Sequence, residues 1–178
     1  MAFNITDFKS QIPLGLARPN LFQWQMSFPA AINSGTAGQK LTFMTKDAEL
    51  PGSLVEPVPV PYFGRVVYVA GDRRFDPITI TVMNDEDFAV RDVFERWLNA
   101  IKQHEENSTT LPNLLDYQSD GKVQQFSKDK RVIKEYTFTG MMPYQISPIR
   151  LAWEANNQIE LFTVSLVYTD WRAVGVTS

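Results

Sequence analysis

Three acids in a row, Asp85-Glu86-Asp87, are the most concentrated carboxylates in the chain, and His104 is its single imidazole. Carboxylate oxygens in this density are the ligand type that holds a divalent cation. The acids, however, follow Asn84 and open a helix-period run. Asn is a preferred cap, and the helix dipole favours negative charge in the first turn. Capping therefore accounts for them without a metal. His104 closes the same run among Gln103, Glu105 and Glu106 and reads as solvated. With no cysteine and one histidine, disulfides, thiol catalysis, Cys-ligated zinc, iron–sulfur clusters and multi-His sites are excluded. No nucleophile elbow, P-loop or G-x-G-x-x-G is present. The expectation is a chain with no catalytic, cofactor or metal site and no small-molecule substrate.

The elements that would carry these residues are better defined than the chemistry. From Val90 the apolar positions are Val90, Val93, Phe94, Trp97, Leu98 and Ile101, one face of an amphipathic helix placed at 84–104. Arg91, Asp92, Glu95, Arg96 and Asn99 form its polar face, with Asp92–Arg96 an i,i+4 pair. Elsewhere, period-2 alternation marks strands at 21–28, 41–48, 63–69, 75–83, 131–140 and 159–171. Leu41, Phe43 and Thr45 share one face of the second of these. In 75–83, Ile78, Ile80 and Val82 face the core, with Thr79 and Thr81 opposite. In 159–171, Phe162, Val164, Leu166 and Tyr168 form one face. Short strands at 114–118 and 123–126 flank Asp120-Gly121, read as a hairpin turn. Leu50-Pro51-Gly52 and Gly71-Asp72 read as further turns. A break is expected at 140–148, a short extended piece at 149–153 and a turn at Asn156-Asn157.

Proline falls at every second position in Val55-Glu56-Pro57-Val58-Pro59-Val60-Pro61-Tyr62. In an extended chain, alternate N–H groups point to the same edge. Pro57, Pro59 and Pro61 therefore strip the donors from one edge only, leaving the other able to pair. The stretch is either a polyproline-like loop or an edge-blocked arm that docks its side chains elsewhere. The charges at Asp72, Arg73 and Arg74 are either solvated or paired with a neighbouring subunit.

The totals are 178 residues, 44% hydrophobic, with 17 basic and 20 acidic residues and a net charge of -3. One domain over 1–178 is the default, with an N-terminal arm at 1–20, a Pro-rich extended segment at 50–62 and a tail at 172–178. The acidic balance argues against a dedicated nucleic-acid binder. No secretory signal and no membrane-length apolar run stand out, so a soluble chain made in a cytoplasm is expected. The fold class is mainly β: an antiparallel sandwich or partly open barrel with one flanking amphipathic helix. Strands 75–83 and 159–171 carry apolar residues on both faces. That suits a sheet covered on both sides or completed by other chains.

Ala17-Arg18-Pro19-Asn20-Leu21-Phe22, Leu50-Pro51-Gly52, Val69-Ala70-Gly71-Asp72-Arg73 and Thr81-Val82-Met83-Asn84-Asp85-Glu86 follow one another in an order that resembles the tail tube proteins of large contractile-tailed bacteriophages. Leu151-Ala152-Trp153-Glu154-Ala155-Asn156-Asn157-Gln158-Ile159 before a long strand is similar too. The resemblance runs from about Ala17 to Trp171 and is weaker in the loop 29–39. It implies a structural virion protein, not an enzyme, with a fold shared with the type VI secretion tube protein. Such subunits form hexameric rings that stack into a rigid tube, and their strands combine into one barrel around the lumen. The implied partners are further copies of the chain, a sheath outside, a tape-measure protein and then DNA inside, and a baseplate tube-initiator and a tail terminator at the ends. The implied place is the virion tail, assembled in the host cytoplasm. On this basis ring contacts are expected at Leu50, Pro51, Gly52, Val55, Glu56, Pro57, Pro59, Pro61, Tyr62, Asp72, Arg73 and Arg74. The hairpin 63–83 is expected to line the lumen through Val67, Val69, Thr79 and Thr81. The alternatives are a related stacked-ring tube of a secretion or baseplate apparatus, or a small-ligand β-barrel.

Overall fold

The computed structural model describes residues 4–13, 15–103 and 109–175. In chain order the elements are α1 (Ile5–Ser10), β1 (Phe22–Met26), α2 (Ala37–Met44), β2 (Thr45–Ala48), β3 (Leu54–Tyr62), β4 (Arg65–Arg74), β5 (Ile78–Met83), α3 (Ala89–Ile101), α4 (Leu114–Tyr117), β6 (Ser119–Phe126), β7 (Val132–Ile146), β8 (Leu161–Val167) and β9 (Asp170–Val174). All pairings are antiparallel. Seven strands form one sheet in the order β1-β6-β7-β8-β5-β2, with β9 also on β7, and β3 and β4 pair only with each other. The mainly-β antiparallel reading with a flanking helix holds, and the sheet does not close into a barrel.

The core lies between the inner face of the sheet and α3. Ile78, Ile80 and Val82 of β5 and Phe162, Val164 and Leu166 of β8 alternate into it. From α3 it receives Val90, Val93, Phe94 and Trp97, with Leu98 and Ile101 half-buried at its margin. Phe94 and Trp97 stack at 6.2 Å, and Phe28 meets both rings edge-on. The Trp97 indole donates to the Tyr117 carbonyl at 2.8 Å, so the ring's polar edge is satisfied as its body is buried. Burying each such side chain contributes about 1.5–3 kcal/mol before entropy.

Several local readings are corrected. Residues 37–44 are helical rather than part of a strand 41–48. Ala37 and Leu41, one helical turn apart, are buried together, while Phe43 is 78% exposed instead of sharing a face with Leu41. The Thr45 hydroxyl donates to the Leu41 carbonyl where the helix gives way to β2. Residues 114–117 form one helical turn, not a strand. Asp120-Gly121 is strand interior, because a Cβ at Gly121 would stand 2.8 Å from Met141 Sδ. This glycine serves a close approach rather than a turn. The expected break at 140–148 is the second half of β7, the longest strand: its first half pairs β6 and β9, its second half β8. The expected strand 159–171 divides at Tyr168-Thr169 into β8 and β9. Residues 149–153 form no strand, and Trp153 is fully exposed.

The helix begins later than its sequence suggests. Asn84 is not its cap: its backbone N–H and side-chain amide both donate to Glu160, at 2.9 and 2.7 Å. Phe88, with φ 52°, is the residue before the first turn, and Asp87 Oδ1 accepts the Ala89 N–H. On the polar face Arg91 pairs with Glu95 at 2.7 Å, leans over the Phe162 ring and donates to the Ser147 carbonyl, while Arg96 donates to the Asp92 backbone carbonyl in place of the expected ion pair with its carboxylate. His104 lies outside the described residues.

Candidate assembly surface

The acids that opened the chemical question are held within the chain. Lys40 of α2 bridges Asp85, at 2.7 Å, and Asp87. The hydrogen bond from the Lys40 ammonium first, then the shared interaction with Asp85 and the Ala89 N–H donated to it, hold the Asp87 carboxyl at about 2, below the usual range. The same carboxylates raise the Lys40 ammonium above its ordinary value. The trio ties α2 to the connection between β5 and α3.

Among the described residues, exposed large apolar side chains are concentrated in β3 and β4. The two strands form a hairpin whose tip is Phe63-Gly64, both with positive φ (43° and 77°), the two-residue turn that matches strand twist. The expected turn at Gly71-Asp72 is instead a bulge inside β4. Val55 pairs Arg73 and Pro57 pairs Ala70, so Gly71 and Asp72 together oppose Glu56. A Cβ at Gly71 would fall 2.5 Å from the Glu56 carbonyl oxygen, which the bulge brings close. Leu50-Pro51-Gly52 is extended rather than a turn. It lies at the hairpin base, where the Gly52 carbonyl accepts from the Trp171 indole at 3.2 Å. Arg74 pairs with Glu56 across the hairpin at 2.9 Å, so it is engaged within its own chain.

The hairpin follows β2 and leads into β5 at the same pairing offset. Ala48 pairs Ile80 and Leu54 pairs Arg74, so five residues (49–53) lie opposite five (75–79) with nothing inserted. The hairpin is a two-stranded sheet of its own, joined to β2 and β5 by these two connections. It is about 30 Å long at about 3.3 Å per residue. Cross-strand partners share a face, so Val58, Val60, Val67 and Val69 lie on one side and Pro57, Pro59, Pro61, Val66, Tyr68 and Ala70 on the other. Both sides are exposed; at the tip Tyr62 is 66% and Phe63 90% open. An apolar surface of this extent on both faces marks an interaction site.

The expected ring-contact residues are therefore largely gathered on this arm and its base. The expected lumen residues are not gathered. Val67 and Val69 stand on the arm, while Thr79 and Thr81 lie on β5 in the main sheet, on the face away from the core. On the helix, Val90, Val93, Phe94 and Trp97 act only as core. Sequence reasoning missed the exposed Phe63, Tyr68 and Trp153. The paired positive-φ turn at Phe63-Gly64 had a signal in the apolar alternation on both sides of it.

The sequence pattern of the phage tail tube protein family matches residues 17–174. The chain belongs to this family. A tail tube protein of Enterobacteria phage T4 is 38% identical over 157 residues, covering 88% of this chain and 91% of that protein. A tail tube protein of Serratia phage KSP90 is 25% identical over 154 residues, 86% of each chain. Among solved structures, a chain of the anti-feeding prophage baseplate has a TM-score of 0.64 at 14% identity, covering 92% of this chain and 98% of that one. A chain of the sheath-tube complex of an extracellular contractile injection system has a TM-score of 0.55 at 11% identity, covering 98% of this chain and all of its own. At these identities the likeness is one of fold. The protein is thus a structural component of a contractile phage tail tube, and its place is the virion tail.

Proposed function

We propose that the chain polymerises as stacked hexameric rings into the rigid inner tube of a contractile tail, through which the genome reaches the host. The observation that carries this reading is the arm, which has apolar residues on both faces and no cover among the described residues. Burying that surface against further copies supplies the free energy that a lone subunit leaves unused. Leu50, Pro51 and Gly52 at the base, and Val55, Glu56, Pro57, Pro59, Pro61, Tyr62, Asp72, Arg73 and Arg74 along the arm, are the contacts between subunits or rings. Val67 and Val69 belong with them.

The lumen is assigned to the outer face of β5 and β8, through Thr79 and Thr81 beside Thr163 and Ser165. These residues are small and polar, and Thr79 and Ser165 share a hydrogen bond at 3.3 Å. No outward residue of these two strands is basic. DNA passing such a wall meets no phosphate-binding cation to hold it. A sheath outside, a tape measure inside before DNA, and initiator and terminator proteins at the ends complete the proposed partners. Assembly takes place in the host cytoplasm.

Negative-stain microscopy of the purified protein is the test. Tubes or six-fold rings are expected; monomers at high concentration overturn the reading. In tubes, Thr79→Cys should be shielded from a bulky maleimide polymer added outside, and free labelling overturns the lumen assignment.

A further inference from the structure

Away from the arm, the chain leaves a hollow of about 820 Å³ between α1, the segment leading into β1 and the turn that joins β6 to β7. This is a size at which ligand clefts are commonly found. Its two walls are held differently. The Phe126 N–H donates to the Leu21 carbonyl at 2.8 Å, and the Gln125 side chain donates to the Arg18 carbonyl at 3.3 Å. The turn is closed by the Ser127 N–H on the Arg131 carbonyl at 2.8 Å and the Lys130 N–H on the Ser127 carbonyl at 3.0 Å. One wall is thus fixed by backbone. The other is α1, a helix of six residues, none of them buried. Neither wall fills the space between them.

The lining is of two kinds. Lys9, Arg18, Lys128 and Arg131 stand around the hollow, all exposed, with Asp129 among them. None of these four cations forms an ion pair among the described residues, whereas Lys40, Arg74, Arg91, Lys122 and Arg172 each do. Uncompensated positive charge is therefore gathered in one place on a chain whose net charge is -3. Between the charges the lining is apolar: Ile12, Leu21 and Phe126 are half-buried, and Phe8, Leu16 and Ile133 stay exposed. Cations set around apolar side chains complement a partner that presents carboxylates beside large apolar groups. A nucleic-acid backbone fits less well, because its phosphates would meet Asp129 and leave the apolar floor uncovered. The chain's own run of acids does not supply the partner, since Lys40 takes two of the three carboxylates of Asp85-Glu86-Asp87.

We propose that this hollow is a docking site for an acidic segment of a second protein, one in which Asp or Glu alternates with Leu, Ile or Phe. The carboxylates pair with Lys9, Arg18, Lys128 and Arg131. The apolar side chains enter between Phe8 and Ile133 and cover Phe126. The site contains no residue of β3 or β4, and the inference goes beyond the tube reading without resting on it.

The test is a fluorescence-anisotropy titration of the full chain with a labelled peptide, Glu-Leu-Asp-Phe-Glu-Leu-Asp. One control peptide carries Ser in place of the apolar residues, and a second carries Gln and Asn in place of the acids. A short single-stranded oligothymidylate is the third control. The parent peptide should bind, less tightly as salt rises, and each control should bind at least tenfold more weakly. Lys128→Glu with Arg131→Glu changes exposed side chains of a turn that is closed through its backbone. This variant should keep the far-UV spectrum and tube formation of the wild type and lose at least tenfold in peptide affinity. Ile133→Ser should weaken the peptide through the apolar floor. A parent peptide that does not bind, or that binds both variants as it binds the wild type, overturns the inference. So does a Ser-substituted peptide or an oligothymidylate that binds as tightly as the parent, since charge alone then accounts for the attraction. Loss of tubes in the double variant assigns the hollow to a contact between copies and also overturns it.

Discussion

The body and the arm use the same residue types to opposite ends. In the body, Val82, Val93, Phe94 and Phe162 disappear between α3 and the sheet. In the arm, Val58, Val67, Tyr68 and Phe63 remain in solvent. The body's stability is settled within one chain. The arm is ordered by a single pair of strands and its backbone hydrogen bonds, and a lone two-stranded hairpin is marginal in water. The difference teaches that apolar residues on one face of an element describe a subunit's own core, whereas apolar residues on both faces describe surface reserved for other chains.

The sharpest way to break this comparison is to damage each region and measure both stability and assembly. Trp97→Ala opens the body. It removes a fully buried ring and its bond to Tyr117, and it should cost about 3–5 kcal/mol in urea unfolding. Gly121→Ala should cost about 1–3 kcal/mol, as its new methyl meets Met141 Sδ and the β1 backbone. The arm should behave in the reverse manner. Val58→Asp with Val67→Asp should shift unfolding of the monomer by no more than about 0.5 kcal/mol, because both sites are already exposed. Tube formation, scored by pelleting, should nevertheless be lost. A stability loss as large as that of Gly121→Ala would show that the arm is part of the body after all.

The smallest effect sharpens the boundary on the body side. Asp87 is held at about 2 against an ordinary 3.8. Its folded value lies below its unfolded one, so the stabilisation is in place above 3.8 and is lost as pH falls through about 2. Lys40→Met should return the Asp87 titration, followed by NMR, towards 3.8, while assembly at neutral pH stays unchanged. Because Lys40 and Asp87 are solvent-exposed, the change in unfolding should be slight.

Glycine was where local reading went furthest astray. Gly71-Asp72 and Asp120-Gly121 carry the residue types of turns, yet both lie inside strands. There the missing Cβ admits the Glu56 carbonyl in one case and Met141 in the other. Nothing within a few residues of either glycine records that approach, because the neighbour comes from another strand. Asn84 misled for a related reason. It has the chemistry of a cap, but Glu160, 76 residues away, takes its amide. Leu41 and Phe43 looked like strand alternation until the burial of Ala37 with Leu41 fixed a helical turn.

The sequence by itself determined the stripe of α3, the inward faces of β5 and β8, and which backbone donors the proline run lacks. The stripe from Val90 to Ile101, the inward faces of β5 and β8, and the blocked edge at Pro57, Pro59 and Pro61 all follow from spacing along one chain. Spacing sets which side chains share a face and which backbone donors exist, and neither depends on a distant partner. Only the tertiary structure decided that β3 pairs with β4 around Phe63-Gly64 as a sheet of its own, and that β9 leaves the line of β8 to pair with β7. Those outcomes depend on which strands compete for the same edge. That competition is resolved by packing across the whole sheet, not by the residues of any one strand.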